Sequence, residues 1–210
     1  MRHWNAALLT VLLSLLLTGL PAAPARAQAS PDPEAVVRDV AGKLQDALAE
    51  NEDRYREDPA LLEALVRRDL LPALDVTYSA RLILGRAGRG ATPAQVEAFA
   101  ETMSEVLIDR YATGMLEYRN REQVEVLPLR GDLNERATRV RTRVRTLNGT
   151  QIPVDYVFRK TDDGWEVFDV IVEGISYVTT YRNQIMPQVT ESGIDAVTER
   201  LARGEIELSQ

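Results

Sequence analysis

WEVFDVIVEGISYVTTYRNQI, running from Trp165 to Ile185, is the stretch that dictates how the rest of the chain must fold. Its opening residues alternate as strand residues do. Phe168, Val170 and Val172 fall on one side, and Trp165, Val167 and Ile171 on the other. Both sides are largely apolar, so the stretch reads as a strand buried on two faces at the centre of a fold. Gly174 then marks a hinge, and the spacing predicts a helix carrying Tyr177, Tyr181 and Arg182.

Immediately upstream, the apolar period is two. Val124–Leu129, Ala137–Thr146, Gln151–Lys160 and Trp165–Glu173 read as four strands, with Asn148-Gly149 and Asp163-Gly164 as hairpin turns. Before Gln123 the period is close to four. Asp32-Pro33, Asp58-Pro59 and Thr92-Pro93 each place a capping residue before a proline, the signature of a helix start. Thr92 and Gln95 complete a capping box, and Val96, Phe99, Met103, Leu107, Tyr111 and Met115 step along one face of the longest helix. Pro72 interrupts the second helix, and Ala73–Leu84 continues as a separate one ending at Gly85. Gly85–Gly90 reads as a flexible loop. Two helices close the chain, one with Pro187 inside it and one carrying Ile194, Val197 and Leu201; the tail GEIELSQ is expected to fray. Helices, an antiparallel meander and helices again make an α+β fold.

The N-terminus reads as a leader. Arg2 and His3 precede the apolar run Ala6–Leu17, and Ala25-Arg26-Ala27 is a small-residue cleavage site, so residues 1–27 are expected to leave and 28–210 to form one domain. Losing Arg2 and Arg26 leaves 23 basic against 32 acidic residues, a formal charge of −9. That balance argues against nucleic acid as a partner. There is no cysteine to carry a lipid anchor, and the single histidine, His3, leaves with the leader. Serine or cysteine triads and the usual transition-metal ligand sets are thereby excluded from the mature chain.

Three groups of residues are candidates for function. Arg139, Arg141, Arg143 and Arg145 alternate along one strand and share a face. They read either as a solvated face paired with Asp155, Glu125 or Glu166, or as an electropositive dock for an acidic partner or a lipid headgroup. Asp169 and Glu173 lie on one side of a strand but roughly 13 Å apart, at about 3.3 Å per residue, too far for a glycosidase pair. Arg182 is a nearer partner for Glu173, across the hinge. Lastly, the apolar stripes of the sheet and the long helix either fill a core or wall a cleft.

Several blocks of the chain resemble a known family. WxVxDVxxEGxSxxxxYRxQ over 165–184, LLPALDVTYSARLILG over 70–85, ATPAQVEAF over 91–99, RYATGMLEY over 110–118 and IPVDYVFRK over 152–160 follow one another as in the MlaC family, also called the toluene-tolerance auxiliary proteins. The loop after Leu84-Gly85 lacks an aromatic often found there, and Pro187 inside a helix is a second departure. The resemblance implies an NTF2-like α+β fold around a lipid pocket, in a monomeric periplasmic phospholipid carrier. Its implied partners are the outer-membrane lipoprotein MlaA and the MCE subunit MlaD of an inner-membrane ABC transporter, and its implied role is outer-membrane lipid asymmetry. The cargo is phospholipid, and no cofactor or metal is implied.

Physical chemistry suits such a role. Exposing two acyl chains, with about thirty methylenes at roughly 0.8 kcal/mol each, costs on the order of 20 kcal/mol, so a lipid crossing water needs an apolar container. Expected tail contacts are Phe99, Met103, Leu107, Tyr111, Val140, Val144, Val154, Tyr156, Phe158, Val170 and Val172, with Ile175 and Val178 at the mouth. Two other functions fit the same sequence: an NTF2-like enzyme with Asp75 or Asp169 as base, and a chaperone for hydrophobic polypeptides.

Overall fold

The computed structural model describes residues 31–118, 124–146 and 148–209. The expected leader, 1–27, lies outside them. The three proline-led helices begin where their caps predict. The Asp32 carboxylate accepts from Ala35 N at the head of α1 (Pro33–Glu50). A short α2 (Glu52–Glu57) follows, and Asp58 caps α3 (Pro59–Asp69) through Ala60 N. Thr92 and Gln95 form the full capping box at the head of α5 (Pro93–Tyr111).

Around Pro72 the chain makes a 3-10 turn, Leu71–Ala73, and α4 (Val76–Leu84) starts three residues later than Ala73. The delay has a cause in the sheet. Leu74 is extended and bridges Val167 in parallel, and Asp75 N donates to the Val167 carbonyl at 2.8 Å, so both residues are held on the sheet before the helix can begin. Ala87–Gly90, expected as a flexible loop, is a second 3-10 turn. A Cβ on Gly88 would sit 2.6 Å from the Cβ of Leu84, so this close approach requires glycine.

The sheet is antiparallel in the order β1 (Val124–Val126), β2 (Thr138–Arg145), β3 (Gln151–Thr161), β4 (Gly164–Val172), β5 (Ile175–Ser176). The expected meander has four strands; the fifth comes from the Gly174 hinge. Glu173 and Gly174 both have positive φ, 52° and 86°, the pattern of a type I′ turn that folds Ile175 back onto Val172. For Glu173 the left-handed conformation costs about 1–2 kcal/mol, and its N–H is held by the Pro153 carbonyl at 3.0 Å.

The deciding strand departs from strict alternation. Val157 faces Asp169 but Phe158 faces Val167, so Phe168 is an extra, bulged residue. Alternation put Val167 and Val170 on opposite faces. The bulge resets the phase and brings Trp165, Val167 and Val170 into one core with Val140, Tyr156 and Phe158, covered by Val36 and Val37 of α1. By strand order β3 is the middle strand, and β4 lies one from the edge. A second core joins α1, α3 and the end of α5. The largest packs α4 and α5 against α6 (Tyr177–Ser192) and α7 (Ile194–Ala202). The tail does not fray: Ile206 and Leu208 are buried in that core, and Gln184 accepts from Ser209 N and donates to its carbonyl. No described helix is long and apolar enough to cross a membrane.

Candidate functional site

Helices α3, α4, α5 and α6 surround a cavity of about 240 Å³ that β4 closes on one side. Its wall is almost wholly apolar. Val66 and Leu70 come from the end of α3, Leu71 and Leu74 from the turn at Pro72, and Ile83 from α4. Met103, Leu107 and Tyr111 come from α5, Phe168 and Val170 from the bulged strand, and Val178 and Tyr181 from α6. Alanines at 80, 100 and 112 supply the short side chains that leave room between the helices. The helix break and the strand bulge are thus both part of the wall.

Most polar groups on the wall are satisfied by the fold itself. Ser79 Oγ bonds the Asp75 carbonyl at 2.8 Å and the bulged Phe168 carbonyl at 2.7 Å. Ser104 Oγ donates to the Ala100 carbonyl at 2.8 Å. The Asp169 carboxylate accepts from Ser176 Oγ at 2.6 Å and from Val178 N at 3.1 Å, capping α6 together with Ser176. Asp75 caps α4 through Tyr78 N and lies 2.6 Å from the Arg159 guanidinium, which in turn sits 4.4 Å over the Tyr78 ring. Both aspartates considered as a base therefore hold helix ends. The Tyr111 and Tyr181 hydroxyls lie 3.1 Å apart, with the Tyr177 ring edge-on to both. Burial, followed by the Tyr111 hydrogen bond, pushes the Tyr181 hydroxyl well above the usual phenol range.

The cavity brings together five of the residues expected at lipid tails: Met103, Leu107, Tyr111, Val170 and Val178. The other eight lie off its wall. Phe99 is fully buried in the α4–α7 core, while Val140, Tyr156 and Phe158 belong to the core beneath α1. Val144 faces Ile152, and Val154 pairs with Val172, farther along the sheet. Ile175, at the hairpin tip, is 61% exposed. The reason is that α1 covers the inner face of β2 and β3, leaving only β4 beside the cavity. Sequence reading missed the contributions of α3, the Pro72 turn and α4. The available signal was the run LLPAL, where apolar residues continue through a helix break.

The arginine row lies on the outer face of β2, opposite its buried Val and Thr residues. Arg139 is 3.5 Å from Asp155, Arg143 is 3.8 Å from Glu125, and Arg141 donates to the Pro128 carbonyl at 2.9 Å. The expected pairing of Arg182 with Glu173 does not form. Arg182 Nε donates instead to the Leu82 carbonyl at 2.6 Å, where a cation suits the C-terminal end of α4.

Residues 38–203 match the family model described as MlaC protein. The toluene tolerance protein ttg2D of Pseudomonas putida is 30% identical over 189 residues, covering 90% of this chain and 87% of that protein. The intermembrane phospholipid transport system binding protein MlaC of Haemophilus influenzae is 26% identical over 205 residues, covering 96% and 92%. A solved structure, the phospholipid-binding protein from Ralstonia solanacearum in complex with a phospholipid, shares the fold with a TM-score of 0.73. It covers 84% of this chain and 100% of its own, at 24% identity. With a family match across most of its length and a relative at 30% identity, the chain belongs to the MlaC family.

Proposed function

We propose that this protein is a non-catalytic phospholipid carrier of the periplasm. In this reading residues 1–27 direct export and are removed before Gln28. The domain 28–210 then shuttles lipid between MlaA at the outer membrane and MlaD at the inner membrane, maintaining outer-membrane lipid asymmetry. The observation that carries the reading is the cavity itself: an apolar space walled by four helices and a strand, where the lining carboxylate, Asp169, is engaged as a helix cap, as is Asp75 outside it. The relative in Haemophilus influenzae named for phospholipid transport supports the same cargo. At 240 Å³ the cavity is smaller than the roughly 300–1,000 Å³ of ordinary ligand pockets, so acyl chains enter as the helical wall yields. Met103 and Met115, unbranched and adaptable, suit a wall that repacks.

The test is native mass spectrometry of the protein purified from periplasm without detergent. A stoichiometric adduct of phospholipid mass is expected; a bare mass even after incubation with liposomes refutes the carrier reading. The arginine row on β2 is the proposed docking face for an acidic surface of a partner protein. Charge reversal at two positions, Arg139→Glu with Arg143→Glu, should weaken that binding about tenfold or more. Unchanged affinity in a folded variant would leave the row a structural role alone.

A further inference from the structure

Among the described residues, the Tyr111–Tyr181 pair is a polar feature of the cavity wall that the fold leaves incompletely used. Two hydroxyls facing each other can share only one hydrogen bond, because one donates and the other accepts. Tyr111 and Tyr181 stand in that relation at 3.1 Å, and neither hydroxyl has a further partner among the described residues. One O–H proton is therefore left over. The serines of the wall both donate to backbone carbonyls, and Asp169 can only accept. An unpaired donor in an apolar space is costly unless a bound molecule accepts from it.

Its position suggests which part of a ligand that is. Tyr181 is buried, whereas Tyr111, the last residue of α5, is half-buried and carries the exposed Arg110 guanidinium 5.7 Å from its ring. The pair thus stands where the apolar wall meets the charged surface. In a diacyl glycerophospholipid the ester carbonyls occupy the same level, between tails and phosphate. We infer that the Tyr111–Tyr181 pair donates a hydrogen bond to an acyl ester carbonyl and makes the cavity selective for ester-linked over ether-linked lipids. This rests on the carrier reading. Held protonated by burial, Tyr181 keeps the pair a donor at any physiological pH.

A competition experiment separates the two ideas. The protein is loaded from mixed vesicles containing diacyl and dialkyl-ether phosphatidylethanolamine of equal chain length, and the bound lipids are extracted and quantified. One neutral hydrogen bond predicts a preference of about five-fold for the diacyl lipid. Tyr111→Phe or Tyr181→Phe alone frees the remaining hydroxyl to donate, so each single variant keeps the preference. The double variant, which retains both rings and should melt near the parent temperature, takes the two lipids equally. Equal loading by the unmodified protein overturns the inference while leaving the carrier reading intact. So does a preference that survives in the double variant, or a double variant that loses both lipids alike, as a bond to phosphate would require. If the unmodified protein takes up neither lipid, the carrier reading itself fails.

Discussion

Ala80→Trp should strip the protein of phospholipid while leaving it folded. Ala80 is 2% exposed on α4 and lines the cavity, so an indole placed there has the 240 Å³ space to enter. The ring then occupies room that acyl methylenes would otherwise fill. Displacing about three of them forfeits roughly 2.4 kcal/mol at about 0.8 kcal/mol each, or some 50-fold in loading. Overpacking costs about 1–3 kcal/mol in a well-filled core, and at about 2–4 °C per kcal/mol the melting point should fall by no more than ~12 °C. Leu107→Trp supplies the same obstruction from α5, where the native side chain is only half-buried and a larger one is better tolerated. Lipid extracted per mole of folded protein is the readout. If both variants melt cooperatively and load as the parent does, acyl chains do not occupy this cavity.

The reason such substitutions could not be chosen from sequence lies in how the cavity is made. Helix starts were legible because Asp32, Asp58 and Thr92 carry local chemistry that acts within three residues. The strands after Gln123 were legible because their period is two over long runs. The α+β class followed from the order of those elements. A bulge, by contrast, leaves almost no local trace: Phe168 is one apolar residue among several, and only its mismatch with β3 reveals that the phase has shifted. Without that shift, Val167 and Val170 are assigned to opposite faces. Which helix covers which face is equally non-local. Val36 and Val37 of α1 take the inner side of β2 and β3, so Val140 and Phe158, good cavity candidates by pattern, become solid core. The short side chains at 80, 100 and 112 look like ordinary helix formers until α4, the middle of α5 and the C-terminal cap of α5 bring them to one place. The hairpin after Glu173 was likewise hidden, since a glycine hinge does not announce that Ile175 turns back to pair with Val172.

Asp169→Ala is expected to destabilise the protein substantially, and it discriminates between a structural and a catalytic carboxylate. The side chain accepts from Ser176 Oγ at 2.6 Å and from Val178 N at 3.1 Å, and Val178 is in the first turn of α6. A carboxylate at a helix N-terminus satisfies an otherwise orphaned N–H and meets the positive end of the helix dipole. Hydrogen bonds to a charged acceptor contribute about 1.5–3 kcal/mol each, though two sharing one carboxylate are not additive, so the expected loss is about 3 kcal/mol. For a chain of this size that corresponds to roughly 6–12 °C in melting temperature. Asp169→Asn keeps an acceptor for Val178 N but gives up the charge, and should lose about 1 kcal/mol. The effect should also reach the cavity, because the turn that frays carries Val178, with Tyr181 one turn further on. Loading should therefore fall in proportion to lost stability and recover at low temperature, where the helix end re-forms. A catalytic base would behave in the opposite way: Asp169→Asn would leave the melting temperature unchanged and abolish a turnover that the parent displays. A parent-like melting curve for Asp169→Ala would refute the capping role.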